Sequence, residues 1–140
     1  MAVETVPLAH ELRETLGRLV RRLRAEPGLP PVAQLTVLGR LDREGPASTS
    51  DLAAAERMRP QSMAQTVRDL EAAGLVSRRP DPDDGRRALV ELTALGRERV
   101  RAARAQRESR LSEILERDLT PAERETLREA VALLRRIADA

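Results

Sequence analysis

The sequence predicts a mainly α (α+β) chain carrying a single β-hairpin. Two observations lead there: six segments show helical spacing of apolar residues or helix-capping signals, and one short pair shows the two-residue alternation of strands. A third agrees with them, since Pro, Gly and Ser/Thr-x-x-acid signals fall between the segments, where helices begin and end. With 140 residues there is room for one domain, or for two small lobes sharing a core.

Leu8 to Leu23 places Leu8, Leu12, Leu16, Leu19, Val20 and Leu23 on one helical stripe, and the run from Glu26 to Pro31, with three prolines and a glycine, breaks it. A second helix is expected over Val32 to Arg43, with Leu35, Leu38 and Leu41 inward, ended by Gly45-Pro46. Ser48-Thr49-Ser50-Asp51 has the form of a capping box and starts a short helix, Thr49 to Glu56. Arg57-Met58-Arg59 connects it to a longer helix that Pro60 opens, that runs to Ala73, and that Gly74 closes in a left-handed cap. Leu75 to Arg79 and Arg87 to Leu92 read as strands joined by the turn-rich Pro80 to Gly85, with Gly85 supplying backbone freedom at the tip. Thr93 caps a long helix, Ala94 to Asp118, whose apolar residues are sparse. Thr120-Pro121-Ala122-Glu123 begins a last helix ending near Asp139, with Leu127, Val131, Leu134 and Ile137 toward the core.

Composition removes many functions. There is no Cys, which excludes disulfides, thiolate metal sites, cysteine nucleophiles and thiol redox sensing; one His argues against zinc. No phosphate loop and no Ser/His/acid set is present, so no enzyme, metal or cofactor is expected. Without Phe, Tyr or Trp, base-stacking modules for single strands are poor candidates. The longest apolar run is Ala130 to Leu134, far short of a membrane span, and the first ten residues lack the pattern of a secretion signal. A cytoplasmic protein is the expectation. All 25 basic residues are Arg, a side chain suited to phosphate and guanine, but the net charge is only +2 and residues 48–92 hold more carboxylates than arginines. Position, not total charge, must carry any nucleic-acid argument.

Short helix, three-residue turn, longer helix and hairpin make a winged helix-turn-helix. At 100° per residue, Met63, Val67 and Leu70 of the longer helix fall on one buried stripe. Gln61, Gln65 and Arg68 point the opposite way, with Ser62 and Asp69 on one flank, and Arg57 and Arg59 precede the helix. Gln can pair with adenine through two hydrogen bonds, and Arg with guanine or a phosphate.

Pro60-Gln61-Ser62-Met63, Leu70-Glu71-x-x-Gly74-Leu75-Val76, Arg79-x-Asp81-x-x-Asp84-Gly85-Arg86 and Leu92-Thr93-x-x-Gly96 resemble the signature segments of the MarR family, the multiple-antibiotic-resistance-type regulators of bacteria. The resemblance implies a homodimeric repressor on a pseudo-palindromic site in double-stranded DNA, associated with the nucleoid when bound. Residues 1–29 and 93–140 would supply the helices of a dimerisation lobe, and 30–92 the winged helix-turn-helix. The helix from Pro60 would enter the major groove, where Arg59, Pro60, Gln61, Ser62, Gln65, Thr66 and Arg68 are the contact candidates. Arg86 would reach the minor groove, oriented by Asp84, with Arg78, Arg79 and Arg87 as phosphate contacts. The family also implies a small aromatic or anionic effector, for which His10, Arg13 and Arg18 are the candidate anchors. The competing reading is an all-helical dimeric adaptor whose hairpin meets protein and not DNA.

Overall fold

The structure, a computed structural model, describes residues 2–140. Its elements in chain order are α1 (Thr5–Arg24), α2 (Val32–Glu44), α3 (Thr49–Ala55), α4 (Pro60–Ala72), β1 (Val76–Pro80), β2 (Ala88–Leu92), α5 (Ala94–Asp118) and α6 (Pro121–Ala138). Every expected element is present, within about three residues at each end. The chain forms two compact units, and the division falls inside α5 after Ala105.

In the first unit the core is built from Val37, Leu38 and Leu41 of α2, Leu52 and Ala53 of α3, Met63, Val67 and Leu70 of α4, Leu75, and Val76, Val90 and Leu92 of the hairpin, closed by Val100 of α5. The antiparallel strands pair Val76 with Leu92 and Pro80 with Ala88, so Val76, Val90 and Leu92 share the inward face. Ala47 adds a one-residue bridge to Val90, with bonds of 3.1 and 2.8 Å in the two directions. A single bridging residue has no periodicity, so this third rung has no signature in sequence.

Two helix ends use the same cap. After α4, the Leu75 amide donates to the Leu70 carbonyl (2.9 Å) and the Gly74 amide to that of Glu71 (3.0 Å), with Gly74 at φ +75°. This is a Schellman motif. After α3, Met58 donates to Ala53 (2.9 Å) and Arg57 to Ala54 (3.3 Å), and here an arginine holds the left-handed position at φ +52°. That conformation costs a non-glycine residue about 1–2 kcal/mol. The turn between α3 and α4 is therefore specified by its neighbours and not by its own residue type. Gly85, by contrast, is not in the left-handed region. The hairpin tip is shaped by carboxylates instead: Asp81 Oδ1 accepts from the Asp83 amide (2.9 Å) and Asp84 Oδ1 from the Arg86 amide (3.1 Å).

The cap of α4 meets the start of α5. Thr93 Oγ1 donates to the Gly74 carbonyl (2.6 Å) and accepts from the Gly96 amide (3.0 Å), while the Thr93 amide donates to the Leu75 carbonyl (3.1 Å). Gly96 sits so close that a Cβ there would lie 2.0 Å from the Leu75 oxygen.

The apolar stripe of α6, expected to face the core, is not buried in the single chain, and neither is that of α1. Neither helix buries a single residue, and Leu127, Val131 and Ile137 stay exposed while Leu134 is half-buried. The second unit holds only residues 106–140, the end of α5 and α6, and two helical segments have too little facing surface to close a core. The capping box of α6 is complete: the Glu123 amide donates to Thr120 Oγ1 (3.2 Å) and the Thr120 amide to Glu123 Oε1 (2.9 Å). Arg124 adds a cap to α5, donating to the Leu119 carbonyl (2.9 Å).

Gly96→Ala tests the α4–α5 junction. Alanine would ordinarily stabilise a helix position by about 1 kcal/mol over glycine. Here overpacking against a backbone oxygen should reverse the sign, lowering stability by about 1–3 kcal/mol in thermal or urea unfolding. Gly85→Ala, with open space around its Cβ position, should stay within about 0.5 kcal/mol of the parent.

Candidate nucleic-acid interface

Helix α4 turns Met63, Val67 and Leu70 fully inward and leaves Arg59, Pro60, Gln61, Ser62, Gln65 and Arg68 exposed on the other side, as the angular reading requires. Thr66 is half-buried, and its hydroxyl donates to the Ser62 carbonyl (3.1 Å), so it braces the helix more than it faces outward. Gln65 is held from both ends: its oxygen accepts from Arg68 Nη2 (2.8 Å) and its nitrogen donates to Asp69 Oδ1 (2.8 Å). A tie from Arg40 Nε to Glu56 Oε1 (2.5 Å) joins α2 to the end of α3, and it holds the Arg40 guanidinium above its already high range.

The hairpin arginines divide into three kinds. Arg78 pairs with Glu71 (3.3 Å) and Arg79 with Glu91 (3.0 Å), in partly exposed contacts of the kind worth about 0–1 kcal/mol. A phosphate could replace either carboxylate at little cost. Arg87 is instead a brace. Its Nη2 donates to Asp51 Oδ2 (2.6 Å) and Ser48 Oγ (3.0 Å), and its Nε lies 3.8 Å from Asp81. Arg86 extends from the tip with its side chain 94% exposed and its Nε 3.5 Å from Asp84 Oδ1. Asp84 therefore works twice, closing the turn and standing beside the guanidinium that the turn projects. Arg78, Arg79, Arg86 and Arg87 together line a shallow recess of about 290 Å³ on the hairpin.

The brace explains two features that the sequence obscured. Ser48 caps α3 by accepting from the Asp51 amide (3.1 Å), but the Asp51 carboxylate does not complete the box; Arg87 takes it. Two of the three acidic residues of the tip, an apparent obstacle to DNA, have their carboxylates committed, Asp81 to a turn bond and to Arg87 and Asp84 to a turn bond. No sequence pattern links positions 51 and 87, because the pair forms only once the hairpin folds over α3.

A helix-turn-helix with an exposed Gln/Gln/Arg face and an arginine-tipped wing is the geometry of a double-helix reader. A sequence model of the MarR family matches residues 28–87, from the break after α1 to the end of the hairpin tip. An uncharacterized HTH-type transcriptional regulator of Mycobacterium bovis is 40% identical over 134 residues, covering 94% of this chain and 93% of that protein. The chain belongs to the MarR family of DNA-binding transcriptional regulators. Among solved MarR-like folds, a transcriptional regulator protein of Pseudomonas aeruginosa superposes with a TM-score of 0.84 at 39% identity, over 96% of this chain and 95% of that one. BpsR of Bordetella bronchiseptica, whose DNA binding is regulated by 6-hydroxynicotinic acid, superposes at a TM-score of 0.61 and 28% identity over 94% and 98% of the two chains.

The expected effector anchors do not converge. His10 lies 3.7 Å from Glu14 on the exposed face of α1. Arg18 lines a depression of about 490 Å³ with Thr15, Leu19, Arg21 and Arg22, which His10 and Arg13 do not reach. A separate recess of about 290 Å³ is lined by Leu41, Asp42, Gly45, Pro46, Glu91, Leu92 and Arg97. Its polar groups are already engaged in part, Asp42 with Arg104 (2.9 Å) and Arg97 with the Leu92 carbonyl (3.2 Å). Among the described residues no cluster of three or more His, Cys, Asp or Glu is arranged to hold a metal, and no helix is long and apolar enough to cross a membrane.

Hydrogen bonds from Ser48, and then from Arg87, hold the Asp51 carboxyl below its ordinary value of 3.8. A carboxylate whose folded pKa is depressed stabilises the fold above its unfolded pKa, and the contribution disappears as pH falls through the lowered value. Wild type should therefore melt higher than Asp51→Asn at neutral pH, and the gap should close in acid below about pH 4. A gap that stayed constant from pH 7 to pH 2.5 would show that the carboxylate charge does not hold the hairpin on α3.

Proposed function

We propose that this MarR-family chain is a homodimeric repressor that reads a pseudo-palindromic operator, with α4 in the major groove and the Arg86 wing in the adjacent minor groove. The observation that carries the reading is a pair of exposed groups in the first unit: Gln61 and Gln65 stand exposed on α4, and Arg86 projects from the wing with its side chain 94% exposed beside Asp84. Arg78 and Arg79 serve as phosphate contacts beside it, and Arg59 and Ser62 do the same at the start of α4. Arg87 holds the wing in place. A narrow minor groove concentrates negative potential and so favours an arginine placed at its mouth.

The apolar stripes of α1 and α6 support the dimer, because each is amphipathic and neither is buried within the single chain. Residues 1–29 and 93–140 then form the dimerisation lobe and 30–92 the DNA-binding part, working in the cytoplasm on the nucleoid. By likeness to the regulator from Bordetella bronchiseptica, release by a small, anionic aromatic effector completes the proposal. Association should be tight, since obligate interfaces bury about 2,000 Å² or more. Sedimentation should give twice the 15.5 kDa chain mass at micromolar concentration, and a folded species at 15.5 kDa would refute the dimer.

Selection of bound duplexes from random DNA tests the function directly. It should return a palindrome with half-sites about one helical turn apart, whereas an adaptor protein would enrich nothing. On the selected duplex, Arg86→Ala should weaken binding at least about tenfold, near 1.4 kcal/mol, with little change in melting temperature. Arg128→Ala, which removes an 81% exposed arginine from α6, is the control, and equal affinities for the two variants would exclude the wing from the interface.

A further inference from the structure

We infer that Asp69 sets base specificity by fixing which way round the Gln65 amide lies, so that α4 reads adenine opposite Gln65. The inference rests on α4 being the recognition helix. A carboxylate only accepts hydrogen bonds and a guanidinium only donates them. With Asp69 Oδ1 2.8 Å from the Gln65 nitrogen and Arg68 Nη2 2.8 Å from its oxygen, the amide can satisfy both neighbours in one orientation only. Each amide atom keeps one position unused: a second N–H on the nitrogen and a second lone pair on the oxygen. What Gln65 offers the groove is therefore one donor beside one acceptor, in a fixed sense.

That pattern fits adenine, whose major-groove edge presents an acceptor at N7 and a donor at N6, and it opposes guanine, which presents two acceptors. A freely turning amide would meet several base edges nearly as well. Fixing it converts an adaptable side chain into a selective one, with the rotamer entropy already lost before DNA arrives. Of the two anchors, Asp69 is the durable one. Arg68 is long, exposed and cationic, and phosphates compete for it, whereas Asp69 is four residues along the same helix and repels phosphate.

The placement of Asp69 is otherwise hard to account for. It lies in the last turns of α4, where the helix dipole disfavours a negative charge, and beside the face turned to a polyanion. Both effects weaken overall affinity. A role in discrimination, where lower general affinity is tolerable, accounts for an acidic side chain at this position.

Selections from random duplexes with wild type, Gln65→Ala, Asp69→Asn and the double variant test the assignment. Asn can donate or accept, so it dictates no orientation. Gln65→Ala should erase an adenine preference of about tenfold or more at one base pair per half-site. Asp69→Asn should reduce the preference at that same pair below about threefold, leave the other pairs and the melting temperature unchanged, and equal or exceed wild-type affinity on unrelated DNA. The double variant should match Gln65→Ala alone, since the two act through one contact. An Asp69→Asn profile that keeps the adenine, or a Gln65→Ala profile that loses no base pair, overturns the inference while leaving α4 as the reader through Gln61. A wild-type selection with no base preference overturns both.

Discussion

The close approach of Gly96 to the Leu75 carbonyl is the constraint on which the rest of the DNA-binding unit depends. At that point the end of α4, the start of β1, the end of β2 and the start of α5 meet within a few residues, and there is no room for a side chain. Thr93 completes the junction by donating to the last carbonyl of the α4 cap while capping α5. The orientation of the exposed Gln/Arg face relative to the wing follows from this contact, because α4 and the hairpin leave the same knot in fixed directions. The α4 face and the wing, the two groups proposed to meet DNA, are thereby set by backbone hydrogen bonds and not by flexible loops.

Most of the fold was legible in the sequence because its punctuation is local. Pro60 at a first helical position, Gly74 at a left-handed cap and the Thr120–Glu123 box each encode a boundary within four residues, and each stands where expected. The alternation of the hairpin and the Met63, Val67 and Leu70 stripe are equally short-range. What escaped was either non-local or against type. Arg57 occupies a conformation in which glycine is usual, so the connection was legible from the helices on either side while its left-handed residue was not. Gly85, an apparent turn glycine, needs no special conformation because two aspartates shape the loop. The inward assignment of the α6 stripe failed for a different reason: helical periodicity reveals that a face is apolar but not whether its cover comes from the same chain.

The candidate site shows a similar division. Residue type and angle sufficed to place Gln61, Gln65 and Arg68 on one face and Arg86 at the tip. Angle alone could not separate the arginines by their work. Arg78, Arg79, Arg86 and Arg87 look equivalent in sequence, yet one projects into solvent beside a single aspartate, two are loosely paired and one is clamped. The carboxylates that make this stretch acidic are what differentiate them. Local net charge was a misleading guide, since charges engaged with one another project little field, and what remains for a ligand is the unpaired remainder.

The clamp at Arg87 bears on how long a bound complex lasts. A two-stranded ribbon standing alone is marginal in water and samples many shapes. Here Ala47 adds a rung to β2 and Arg87 pins the ribbon to the N-terminus of α3, so its disorder has been given up during folding. In the proposed complex, docking such a stiff ribbon in a groove loses little further entropy. The clamp also hinders exit from that complex, because a wing that peels away alone must first break its ties to α3. Dissociation that lifts wing and helices together is slower, and a stiff clasp of this kind favours slow departure over fast arrival.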